Sequence, residues 1–265
     1  MFMHENIEIR RLTTMEELYH MQEVEEAVWQ APPTPVHQTY TASYNGGLML
    51  GAYDGEKMIG FQYSFAGFDG KNPYLCSHML GILPEYRRGG LGVKMKLKQA
   101  EIARELGYDM MTWTFDPLES LNAYLNLHKL EGVGASYKVN HYGMMDDGLN
   151  KGLPTDRIQI EWWLNEDKND QRPVFDKGAV LLRMDDRDEP AVTEYFSDEF
   201  LDTSQPAWFV AIPEKIQDMK RTNPELAIKW RYETRKVFVE LFANGYKATD
   251  LIRKDVGSYY CFSRK

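Results

Sequence analysis

Only two cysteines, Cys76 and Cys261, occur in 265 residues. That is too few for a disulfide framework. Both fall in runs that read as strands, a pattern that favours reduced, buried thiols in a cytoplasmic protein. No apolar run approaches the roughly 20 residues that span a bilayer, so no membrane partner is expected. Met1–Asn6 carries an early acid and no apolar core, so a signal peptide is not expected either. Basic charge is not in excess: the formal net charge is −9. This argues against phosphate-backbone binding, which depends on many Lys and Arg contacts, so no nucleic-acid partner is expected. An acidic surface admits a cationic acceptor, and serves solubility equally well. His4, His20, His37, His128 and His141 show no ligand spacing with cysteines or acids, so no metal is expected.

What is present is ordinary for a chain with a substantial core: 43% hydrophobic and 13% aromatic residues. The length allows one large domain or two modest ones. Ile7–Leu12 alternates like a strand, and Thr13 or Thr14 can cap a helix running to about Gln30. A shorter helix is predicted over Val36–Tyr44. Leu48–Tyr53, Met58–Ala66 and Tyr74–Leu83 read as an antiparallel meander, with Asp54-Gly55 as its first hairpin signal. A long amphipathic helix follows at Leu91–Leu106, stopped by Gly107. Then come a strand at Met110–Phe115, a helix from Ser120 to Lys129 with Ser120 as its cap, and strands at Ser136–Tyr142 and Arg157–Leu164.

The polar stretch Asn165–Pro173 reads as a boundary between domains 1–165 and 174–265. Beyond it, strands are predicted at Ala179–Met184, Trp208–Pro213, Lys247–Arg253 and Tyr259–Ser263, and a helix over Pro224–Ala243. Ile212-Pro213, a helix and Gly245-Tyr246 echo Ile82-Leu83-Pro84, a helix and Gly107-Tyr108. The second region is either a degenerate repeat of the first or a coincidental echo. Arg231 and Arg235 share a helix face, able to hold a carboxylate or phosphate or simply to be solvated. Trp208, Trp230 and Arg235 are candidates to close an acceptor cleft.

The stretch that carries chemistry is Leu80-Gly-Ile-Leu-Pro-Glu-Tyr-Arg-Arg-Gly-Gly-Leu-Gly-Val-Lys94. A strand enters a turn with Gly89, Gly90 and Gly92, and a helix starts there. Glycines let consecutive N–H groups converge, and with the helix N-terminus they form a cradle suited to a pyrophosphate. The P-loop pattern is missing, and the dinucleotide fingerprint fails because Met95 stands where its third glycine belongs. Arg/Gln-x-x-Gly-x-Gly/Ala is met by Arg87, Gly90 and Gly92.

With this motif and the order of elements over residues 6–164, the chain resembles the GNAT superfamily of N-acetyltransferases. The resemblance implies an α/β fold: a mixed, largely antiparallel twisted sheet flanked by helices, here with a smaller α/β C-terminal domain. It implies acetyl-CoA as cofactor. Ile82 would offer main-chain groups to the pantetheine arm. Arg88, Gly89, Gly90, Leu91, Gly92 and Val93 would supply pyrophosphate amides, with Arg87 acting through position and charge. Arg87, Arg88, Lys94, Lys96 and Lys98 form a basic stretch that attracts phosphates, although a solvated helix face explains the three lysines as well.

The segment Ser120–Gly132 resembles the family's Asn-x-x-Ala-x-x-x-Tyr-x-Lys-x-Gly-Phe. Ala123 and Lys129 match, Leu127 replaces the tyrosine that protonates the departing thiolate, and Glu131 reads as an extra residue before Gly132. Tyr124 and His128 are the candidate substitutes, or else they pack. Asn122 and Asn126, one turn apart, could bond the pantetheine amide or face solvent. His78 is the candidate general base, since an imidazole suits proton transfer near neutral pH; it is otherwise a half-buried histidine or a recognition residue. On a regular strand Cys76, His78, Leu80 and Ile82 share a face. The resemblance implies acetylation of a small-molecule amine; alternatives are a non-catalytic CoA-binding or regulatory module, and a peptide or protein N-acetyltransferase. The sequence carries no signal for oligomeric state.

Overall fold

A computed structural model of the protein describes residues 7–87, 89–145, 147–148, 150–166, 172–197, 200–254 and 257–264. It divides into two compact units: the described residues of Met1–Trp113 with Trp163–Glu166, and those of Thr114–Trp162 with Asp167–Lys265. No helix among the described residues is long and apolar enough to cross a membrane.

In the first unit, β1 (Ile7–Arg11), β2 (Leu48–Asp54), β3 (Lys57–Phe68) and β4 (Pro73–Ile82) pair antiparallel in sequence order. β5 (Met110–Phe115) then lies parallel to β4, with Leu75 opposite Met111. α1 (Met15–Trp29) begins at a reciprocal cap: Thr14 Oγ1 accepts from Glu17 N, and Glu17 Oε2 accepts from Thr14 N. Gln30 ends it with a left-handed φ of 53°, just before the prolines. α2 (Val36–Tyr44) follows as expected.

Two apolar clusters result. Leu18, Met21 and Val24 of α1 and Val36 of α2 pack with Phe61 and Tyr63 of β3. Leu91 and Met95 of α3 (Leu91–Glu105) pack with Ala52 and Ile59, joined by Leu80 and Ile82. Each such side chain taken from water contributes about 1.5–3 kcal/mol.

In the second unit the strand order is β7 (Arg157–Trp163), β6 (Val133–Lys138), β13 (Lys247–Lys254), β14 (Gly257–Ser263), β12 (Ala207–Ile212), β8 (Val180–Met184) and β9 (Pro190–Val192). All neighbours are antiparallel except β12 and β8. A mixed, mostly antiparallel α/β fold is therefore present, as the sequence implied. Gly134 of β6 faces Ala248 of β13, so residues on both sides of the polar 165–173 stretch share this sheet.

α6 (Pro224–Ala243) packs through Trp230, Val237, Phe238 and Leu241, all fully buried. The Phe238 ring lies 5.7 Å from Tyr137 and 5.0 Å from both Tyr260 and Phe262. The echo between the two halves persists in detail. Tyr108 donates to the Gly46 carbonyl at 2.8 Å and Tyr246 to that of Gln205 at 2.7 Å, each following a glycine with φ above 80°. The pairing differs: β5 adjoins β4, whereas β14 separates β12 from β13.

Several local expectations are corrected. Ser120 is not a cap; it is buried and shares a hydrogen bond with Ser258, while Asp116 Oδ1 accepts from Leu118 N at the turn before the helix. That helix, α4, is α-helical at Ser120–Ala123 and π-helical at Tyr124–Lys129. β6 starts earlier than predicted, at Val133, and ends at Lys138; Asn140 takes a left-handed φ of 46°. A short helix, α5 (Ile216–Thr222), and the small strands β10 (Phe196–Ser197) and β11 (Phe200–Leu201) were not legible in the sequence.

Candidate functional site

The glycine-rich turn lies in the first unit, between the end of β4 and α3. Gly89 has a φ of 92° and Gly90 one of 77°, both in the left-handed region. An added Cβ at either would meet nothing within 4 Å, so the space above the turn is open. Gly90 is the N-cap of α3, no side chain caps that helix, and its first turn contains no acid. The first bond back into the turn runs from Lys94 N to Gly90 O, at 3.1 Å. The N–H groups of Leu91, Gly92 and Val93 thus precede the helical ladder, at the positive end of a 15-residue helix. Such a concavity fits a pyrophosphate.

The Arg87 side chain folds back, its Nε donating to the Ile82 carbonyl at 3.0 Å. This ties the strand end to the turn and leaves that carbonyl engaged. Tyr86 braces the same turn by donating to Asp54 Oδ2 at 3.0 Å. Arg88 lies outside the described residues.

The face expected for His78 is corrected. Tyr63 pairs with Met79 but Phe65 pairs with Cys76, so Ser77 and His78 together oppose Ser64 in a β-bulge. The bulge separates their directions. Ser77 is buried against Gln99 of α3, whereas the His78 ring lies 5.8 Å from Tyr63 and 5.6 Å from Phe65. His78 therefore does not share the face of Leu80 and Ile82. Its ring keeps a solvent-exposed edge, and enclosure by its neighbours lowers its pKa, which favours the neutral imidazole.

Lys96 is not on a solvated helix face. It is 3% exposed; its Nζ donates to Ser77 Oγ at 2.7 Å and sits 3.6 Å from the centre of the Trp113 ring. Burial pushes its pKa down to about 7, with the nearby Cys76 acting weakly in the other direction. The indole face favours the charged form as well. Of the other lysines, Lys94 is exposed and Lys98 pairs with Glu101 at 2.7 Å.

The remaining candidates lie in the second unit, on α4. Leu127 is fully buried, and its aliphatic side chain offers no proton donor. Glu131 immediately precedes Gly132 at the end of this helix. It takes the left-handed φ of 58° itself, and Gly132 N donates to Asn126 O across it at 2.9 Å.

His128 and Tyr124 stack at 4.5 Å with an interplanar angle of 18°. The Arg253 guanidinium lies 4.1 Å from the Tyr124 ring centre. His128 Nδ1 is 2.9 Å from Asp250 Oδ1 and 2.7 Å from Arg172 Nη1. Arg172 can only donate and the Asp250 carboxylate only accepts, so the two neighbours ask opposite roles of Nδ1. Asp250 is buried and Arg172 also pairs with Glu131 at 2.8 Å. Neither Asp250 nor Arg172 was singled out by sequence, since each lies far along the chain from His128. Asn122 is exposed and Asn126 is buried, so the two amides do not form one surface.

Arg231 and Arg235 hold internal carboxylates. Arg231, fully buried, donates to Asp116 Oδ2, and Arg235 donates twice to Asp156, at 2.8 Å each. Trp208 and Trp230 are core residues, 2% and 0% exposed.

Residues 13–129 match the model of the acetyltransferase (GNAT) family. Among solved structures, the chain is similar to the ribosomal-protein-S18-alanine N-acetyltransferase from Escherichia coli. There the identity is 16% and the TM-score 0.50, over 63% of this chain and 99% of that one. It is also similar to an N-acetyltransferase from Staphylococcus aureus Mu50, at 15% identity and a TM-score of 0.49, over 61% of this chain and all of the other. No curated protein sequence matches the chain.

Proposed function

We propose that the protein is a cytoplasmic, acetyl-CoA-dependent N-acetyltransferase acting on a small-molecule amine. The observation that carries this reading is the open left-handed Gly89-Gly90 turn, which leads into an uncapped helix N-terminus free of acid. In the proposal, the amides of Gly89–Val93 hold the pyrophosphate and the Ile82 strand end lines the pantetheine arm, as the family resemblance implies. Residues 1–165 would form the acyl-CoA domain and 174–265 the addition. Bound acetyl-CoA supplies an activated acetyl group and a thiolate leaving group.

The acceptor nitrogen must be neutral to attack, and His78, whose pKa is lowered by desolvation, takes its proton. The new N–C bond forms as the thioester C–S bond breaks, and the thiolate then takes up one proton. His128 and Tyr124, stacked on each other, are the two candidates for that donation. Asn122 and Asn126 retain no specific support as pantetheine ligands.

A second reading, a CoA-binding or regulatory module without catalysis, is favoured by the buried Leu127 at the position where the family carries its acid. Acetyl-CoA turnover over a panel of amines separates the two. Release of CoA thiol with any amine supports the enzyme; CoA binding with no turnover across the panel supports the module.

A further inference from the structure

The bulge of β4 sends Ser77 and His78 apart, and the buried one of the two is fastened by a chain of polar side chains. Ser77 Oγ accepts from Lys96 Nζ at 2.7 Å and donates to Gln99 Oε1 at 2.8 Å. That oxygen also accepts from Gln62 Nε2 of β3 at 3.2 Å. Lys96 and Gln99, three residues apart, stand on one face of α3. Ser64, the residue opposite the bulge, is committed elsewhere: its hydroxyl donates to the Leu48 carbonyl. The side-chain hold on the bulge therefore comes from α3.

Lys96 is a costly way to make that hold. No carboxylate pairs with it among the described residues, and the ionisable group that acts on it is the Cys76 thiol, which burial keeps neutral by pushing its pKa up to about 11. The Trp113 ring face compensates the ammonium in part. A methionine would fill similar space without the desolvation penalty. What the amine adds is direction. As an ammonium it can only donate, so Ser77 Oγ accepts from it and turns its own proton to Gln99. Without this anchor β4 can relax towards regular pairing, because a one-residue change of register exchanges the two faces of a strand. His78 would then join the side of Leu80 and Ile82, which pack with α3, and leave the rings of Tyr63 and Phe65.

We propose that Lys96 is a positioning residue for acetyl transfer: its bond to Ser77 fixes the bulge, and the bulge aims the His78 ring at Tyr63 and Phe65 instead of at α3. No ligand has to reach Lys96 for this; it acts through Ser77 and the backbone of β4. The role in transfer rests on the reading of His78 as proton acceptor, whereas the anchoring of the bulge does not.

The test compares Lys96→Met, Ser77→Ala and the double variant as full-length proteins. NMR follows the Cε1–H resonance of His78, identified by its disappearance in His78→Gln; ring currents from Tyr63 and Phe65 mark the position of the imidazole. Lys96→Met should shift this resonance, and the double variant should shift it no further than Ser77→Ala alone. With the amine turned over fastest in the panel above, Lys96→Met should lower kcat by about 10- to 100-fold, as a misplaced proton acceptor does, at unchanged CoA affinity. Its melting temperature below pH 7 should meanwhile rise. A residue that only supports the fold would lose activity and stability together. An unmoved His78 resonance in Lys96→Met, a double variant displaced beyond Ser77→Ala, or a loss of kcat with a lower melting temperature would each overturn the inference. So would full activity of Lys96→Met where His78→Gln is impaired. If His78→Gln is itself fully active, or no amine is turned over, the catalytic reading of His78 fails instead.

Discussion

Replacing Gly90 tests the cofactor cradle with a magnitude that the backbone sets in advance. Its φ of 77° makes any L-residue strained, by about 1–2 kcal/mol, but an added Cβ meets no neighbour. That strain is present in free and bound protein alike, so Gly90→Ala weakens CoA binding only by what one methyl group excludes from the cradle. Gly90→Glu adds a negative charge. At about 6 Å from each of two phosphate charges, with an effective dielectric between 20 and 80, the repulsion is roughly 1.5–5 kcal/mol. The turn is exposed, which favours the lower half of that range, a loss of about 10- to 300-fold in affinity. Gly70→Glu is the control: Gly70 has a φ of 95° and equally open space, but it lies in a hairpin with no helix behind it. Calorimetric CoA titration should rank Gly70→Glu as wild type, Gly90→Ala slightly weaker and Gly90→Glu weakest. A folded Gly90→Glu protein with wild-type affinity, or equal losses at the two glycines, would refute the assignment.

Other outcomes follow from the same geometry. His78→Gln should lower kcat by about 10²–10⁴-fold with CoA affinity intact. Because burial lowers the His78 pKa, the acid limb of the wild-type rate profile should lie below the ordinary histidine value and vanish in the variant; an unchanged profile would remove His78 from the mechanism. Lys96→Met should stabilise the protein, by an amount that depends on pH. The folded pKa of about 7 lies below the ordinary 10.5, so wild-type stability rises between those values as the unfolded chain alone holds the proton. The gain from Lys96→Met in thermal melts should therefore be largest below pH 7 and shrink towards pH 10; a constant gain would contradict it. Arg235→Ala should cost about 2–4 kcal/mol in urea titrations, because it strips two bonds from the fully buried Asp156. A loss under 1 kcal/mol would show that Tyr137 and Asn140 suffice to hold that carboxylate.

Local signals that contain their own physics were legible in the sequence. Thr13 or Thr14 announced the start of α1, the Asp54-Gly55 pair its hairpin, and Gly89, Gly90 and Gly92 around the start of α3 the anion cradle. What failed to show were effects set by partners distant in the chain. The bulge at Ser77–His78 is fixed by register against Ser64, and nothing within β4 itself reveals it. Arg231 and Arg235 looked like a solvated pair because their carboxylates, Asp116 and Asp156, are far away in sequence. Two residues were readable and missed. Lys96 falls in the buried stripe of Leu91, Met95, Gln99 and Ala103, and Glu25 continues the stripe of Leu18 and Met21. In both cases a charged side chain stands at a core position.

The pairing of β6 with β13 also sets a timetable for synthesis. Gly134 meets Ala248, so β6 leaves the ribosome about a hundred residues before its neighbour exists. The strands β1 to β4, with α1 to α3, are contiguous and can close around their own two apolar clusters while translation continues. During that interval the edge of β6 that β13 will cover is unpaired. A nascent chain stalled near residue 200 should thus protect the cradle region from protease while the open edge of β6 remains available to chaperones.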